Sequence, residues 1–113
     1  MKRLRIMFDH ELRALERIRK QLEILLGEGL ISVVAFGSRV RKDHSEESDF
    51  DLLVVVRAKT PEVEREVIGI IVDVETDCGL SFSPVVKDLL GFQEEERLHS
   101  PFYQRITTEG VRL

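Results

Sequence analysis

The chain has 113 residues, 42% hydrophobic and 34% charged, with 17 basic against 21 acidic side chains and a net charge of −4. This balance places the chain with ordinary globular proteins rather than disordered or membrane ones, and without a global basic field it argues against direct nucleic-acid binding. One cysteine, Cys78, excludes an internal disulfide framework and a thiolate metal site of its own; it reads as a small buried hydrophobe near a helix end.

The length suits a single domain over 1–113 with one core. The longest apolar runs, LISVVAF and LLVVV, fall well short of the roughly 20 residues that span a bilayer. Acidic residues interrupt MKRLRIMFDHELRALER before any secretory apolar region can form. A cytoplasmic protein without membrane association is expected. Arg3, Arg5, Arg13, Arg17, Arg19 and Lys20 make the start locally basic, which reads as a solvated helix face.

From Asp9 to about Gly27, Leu12, Leu15, Ile18, Leu22, Leu25 and Leu26 recur at three- and four-residue steps, the stripe of an amphipathic helix. Asp9 is its expected N-cap, and Gly27 and Gly29 its stops. LISVVAF then reads as a buried strand, SRVRKDHSEES as a polar loop, and DFDLLVVV as a second strand buried on both faces at its apolar end. Thr60 and Pro61 open a second helix in which Val63, Val67, Ile70, Ile71 and Val74 share one face, closing near Gly79. LSFSPVV is a third strand at an edge or bulge, because Pro84 cannot donate to a ladder. The segment from Asp88 to Arg97 carries a weak, acidic signal. Ser100, Pro101 and Gly110 bound a short last helix in SPFYQRITTEG. The order helix, strand, strand, helix, strand, helix predicts an α/β (α+β) fold, a small mixed β-sheet with helices packed on it.

The chemistry concentrates in residues 36 to 51, FGSRVRKDHSEESDFD. Gly37 and Ser38 end the first strand, and ten residues separate Ser38 from Asp49. If the two strands are neighbours, the turn and the Asp49-x-Asp51 pair reach the same rim, with both carboxylates on one side of an extended segment. Such a pair on an apolar sheet calls for a cation, and hard oxygen donors favour Mg²⁺. A glycine lets backbone approach a phosphate, and a serine hydroxyl can donate to it. Phosphoryl or nucleotidyl transfer uses such parts. Arg39 could meet a phosphate as a bidentate donor. Arg41, Lys42 and His44 read as solvated loop residues.

The stretch FGSRVRKDHSEESDFDLLVVV resembles the signature of the DNA-polymerase-β-like nucleotidyltransferase superfamily, Gly-Ser followed after about ten residues by Asp-x-Asp on an apolar strand. The short chain is similar to minimal nucleotidyltransferases, often paired with a helical HEPN protein in toxin–antitoxin modules. The resemblance implies that Gly37 and Ser38 hold the triphosphate with Arg39 beside them, that Asp49 and Asp51 bind Mg²⁺ and are catalytic, and that ATP is the substrate. It implies transfer of AMP to a hydroxyl on a partner protein, with a HEPN-type partner supplying the acceptor; homo-oligomerisation stays open. In one respect the chain departs from the pattern. Active members carry a third carboxylate on the next strand, where LSFSPVV offers only Ser81 and Ser83; Asp73 would serve if that strand began earlier. Whether the chain is an enzyme is therefore open, and the alternative is a catalytically impaired subunit that binds nucleotide or partner without turnover.

Overall fold

The computed structural model describes residues 9–37 and 49–113. Its described elements are helix α1 (Asp9–Leu26), a 3₁₀ turn (Gly27–Gly29), strands β1 (Leu30–Phe36) and β2 (Phe50–Val56), helix α2 (Pro61–Cys78), strand β3 (Phe82–Asp88), helices α3 (Leu89–Arg97) and α4 (Pro101–Glu109), and strand β4 (Val111–Arg112). The four strands form one mixed sheet in the order β3-β2-β1-β4. Only the β2–β3 pair is parallel. A mixed sheet with helices packed on it is the expected α+β class.

Caps and breakers set the element ends as expected. The Thr60 hydroxyl accepts from the Val63 N–H (3.1 Å), Pro61 takes the first turn of α2, and Gly79 closes it by donating to the Glu75 carbonyl (2.9 Å). Ser100 caps α4 by accepting from Tyr103 N–H (3.0 Å). Pro84 lies on β3, an edge strand, where a missing donor costs little. Arg13 and Lys20 are exposed, and Arg17 and Arg19 pair with Asp77 (2.6 Å) and Glu23 (2.5 Å), so this part of the basic cluster is a solvated face. Arg3 and Arg5 lie outside the described residues.

Four expectations change. The weak segment after Asp88 is helix α3, whose N-cap is Asp88 itself, accepting from Gly91 N–H (2.7 Å). A two-residue strand, β4, is added at the C-terminal side, too short to show a period. Asp9, expected as a cap, is already helical. Cys78, expected buried, is exposed: it continues the spacing of Val67, Ile71 and Val74 but is the last residue of α2.

The sheet is covered on both faces. On one, Phe50, Leu52, Val54 and Val56 of β2 pack with Leu15, Ile18 and Leu22 of α1 and Val67, Ile71 and Val74 of α2. On the other, Leu53 and Val55 meet Val34, Phe36 and Ile106, with Phe92 and Phe102 against them. The continuous apolar run of β2 thus reflects burial on both faces. Leu52 is fully buried at this centre. Leu52→Ala is expected to cost about 3 kcal/mol, read as a lower urea midpoint with an unchanged m-value.

Candidate functional site

The site is built from the way β1 hands over to β2. The strands are antiparallel neighbours with Phe36 opposite Asp51, so residue 37 ends β1 where β2 begins. Asp49 is exposed just before the strand, Phe50 turns inward and is buried, and Asp51 is half-buried. This alternation sends Asp51 to the same face as Leu53 and Val55, the face covered by α3 and α4. The Gly turn and the second aspartate therefore share one rim.

Gly37 has φ +90°, a backbone that side chains rarely adopt. A methyl built on its Cα would overlap Oδ2 of Asp51 and stand 3.0 Å from Cγ. Glycine is the residue that lets turn and carboxylate come this close.

Two residues of α4 complete the surroundings. The Gly37 N–H donates to Oε2 of Glu109 at 3.2 Å. The Arg105 guanidinium lies 4.0 Å from Oδ2 of Asp51 and 4.0 Å from Oε2 of Glu109, and 5.3 Å from the centre of the Phe36 ring, on which it rests. Only about a sixth of the Glu109 side chain is exposed, against half of Arg105.

The nucleotidyltransferase domain model matches residues 15–113. This chain belongs to the nucleotidyltransferase domain family. A search of curated proteins returns no match. The family match extends from α1 through β4 and so includes Gly37, Asp49, Asp51 and the α4 residues around them.

The family implies a divalent metal, and the described residues fit one. Asp49 and Asp51 offer hard carboxylate oxygens suited to Mg²⁺, and the bare Cα of Gly37 leaves room for the Asp51 carboxylate where a methyl would overlap it. Among the described residues no group of three His, Cys, Asp or Glu side chains is arranged to hold a metal. On β3, the next strand, the residue paired in register with Asp51 is Ser83, which is exposed. Asp73 lies exposed on α2, not on a strand, and Asp88 pairs with Val56, on the order of 16 Å along β3 from Ser83.

Ser38 and Arg39 lie outside the described residues, as do Arg41, Lys42 and His44. Sequence reasoning missed Glu109 and Arg105. Their spacing of four marks one helix face, but what places them is the antiparallel register of β4 on β1, Ala35 opposite Val111, which set two steps further brings Glu109 across from Gly37. Gly110 permits this approach: a methyl there would stand 2.8 Å from Cγ1 of Val34.

Proposed function

We propose that this protein is a minimal nucleotidyltransferase that transfers AMP from ATP, with Mg²⁺, to a hydroxyl on a partner protein, the antitoxin-type half of a pair with a helical HEPN protein. The observation that carries the reading is the contact between the bare Cα of Gly37 and the Asp51 carboxylate, which joins a turn able to take phosphates to an acid able to take a metal. Asp49 and Asp51 would hold Mg²⁺, and Gly37, Ser38 and Arg39 would face the triphosphate. Bound Mg²⁺ would offset the phosphate charge and polarise the α-phosphoryl group. In the transfer, the acceptor hydroxyl oxygen forms a bond to the α-phosphorus, the bond from that phosphorus to the α–β bridging oxygen breaks, and pyrophosphate leaves with the electron pair. The hydroxyl proton passes to water, since Ser83 beside Asp51 is no base.

Ser83 also favours a second reading. With serine and no acid paired to Asp51 on β3, the chain would bind Mg²⁺ and ATP and neutralise or position its partner without turnover. Direct nucleic-acid binding is not part of either reading, given the net charge of −4.

The two readings separate in one assay. The protein is incubated with a HEPN-type partner, Mg²⁺ and α-labelled ATP. Label on the partner is expected for the transferase. No label with any of the four nucleoside triphosphates, together with thermal stabilisation by Mg²⁺ and ATP, would select the binding reading. Saturation at 100 times the Kd would stabilise by about 2.7 kcal/mol; absence of both label and stabilisation would end both readings.

A further inference from the structure

We infer that Glu109 is a positioning residue of this site: its carboxylate holds the Gly37 turn against Asp51, with Arg105 as the cation that lets the two acids lie close together. The inference rests on the reading of the turn as a nucleotide site for its functional meaning, and on four observations for its geometry.

Gly37 spends its N–H on Oε2 of Glu109. Glu109 is the more buried of the two acids, with about 16% of its side chain exposed against 33% for Asp51, so its hydrogen bond is shielded from water. The Arg105 guanidinium lies 4.0 Å from each acid, and the Phe36 ring beneath it limits where it can go. Finally, Glu109 is the last residue of α4, two before β4, whose pairing with β1 helps set where its backbone lies.

These facts assign the work differently from a turn that merely donates to phosphate. With its N–H engaged by Glu109, Gly37 serves through its bare Cα. The acid lacking beside Asp51 on β3 is matched by one arriving from the opposite edge of the sheet, which acts on the turn and not on the metal.

Two variants test this, read by amide hydrogen exchange in the full chain and by Mg²⁺–ATP affinity. Glu109→Gln keeps an acceptor oxygen for the Gly37 N–H; Glu109→Ala removes it. Glu109→Ala is expected to speed exchange of the Gly37 amide by about tenfold or more, the effect of losing one shielded hydrogen bond. Glu109→Gln should stay within about threefold of wild type, while the amides of the β1–β4 ladder keep their rates in both. Affinity for Mg²⁺–ATP should fall by about tenfold in Glu109→Ala and be largely restored in Glu109→Gln. If Gly37 and the whole β1–β4 ladder accelerate together, Glu109 merely secures the strand and the inference is overturned. Unchanged exchange at Gly37 in Glu109→Ala overturns it equally. Failure of the wild-type protein to bind Mg²⁺–ATP would overturn the nucleotide reading instead, while the exchange pattern still decides whether Glu109 holds the turn.

Discussion

Asp51→Asn is expected to lower AMP transfer by about a thousandfold or more while leaving the fold intact. Asparagine copies the shape of aspartate, so it still fits against the bare Cα of Gly37 and beside Phe36 across the strand pair. What it loses is the negative charge that would hold Mg²⁺, and a carboxamide oxygen is a much weaker ligand for a hard cation. The ion pair with Arg105 is long, at 4.0 Å, and both side chains are partly exposed, so its loss changes stability by less than about 1 kcal/mol. The readout is label transfer from α-labelled ATP alongside a thermal melt. A variant that keeps transfer within tenfold of wild type would remove Asp51 from the metal; one that unfolds would show that the charge mainly supports structure.

Gly37→Ala is expected to fail in two ways at once. At φ +90° any side chain pays backbone strain on the order of 1–3 kcal/mol. Its methyl would also overlap Oδ2 of Asp51, forcing either the turn or the carboxylate to move. We expect a loss of about 2–3 kcal/mol in stability, a melting point lower by about 10 °C, and no stabilisation by Mg²⁺ and ATP. Gly79→Ala is the control. That position also has a positive φ, of +70°, but nothing lies within 4 Å of a methyl built there. It should cost about 1 kcal/mol and leave nucleotide binding unchanged. Equal effects from the two substitutions would show that strain alone matters at Gly37 and that the approach to Asp51 does not.

Much of the fold could be read along the chain because the signals are local. Thr60 with Pro61 and Ser100 with Pro101 satisfy the first N–H groups of their own helices, a chemistry confined to four consecutive residues. The apolar run of β2 announces burial on both faces, and Pro84 announces an edge, whatever the rest of the molecule does. Helix α3 escaped notice because it has no fully buried residue and so no clear stripe: Leu90 is exposed, and Phe92 is only partly buried, under α4. Cys78 lies on the apolar stripe of Val67, Ile71 and Val74, which is why the sequence reads it as buried; only the tertiary structure shows that the stripe is no longer covered at the last residue of α2.

For the candidate site the division is similar. By itself the sequence determined the Gly37 turn, the Asp49-x-Asp51 pair and the absence of an acid in LSFSPVV, since each is a matter of residue type and spacing within a short stretch. Only the tertiary structure decided what stands around Asp51: Ser83 on one side through the parallel register of β3, and Arg105 and Glu109 on the other through α4 and β4. The physical reason is distance along the chain. Gly37 and Glu109 lie 72 residues apart, and no periodicity reaches that far; a strand register does, because each hydrogen bond of the β1–β4 ladder sets where the next residue must lie.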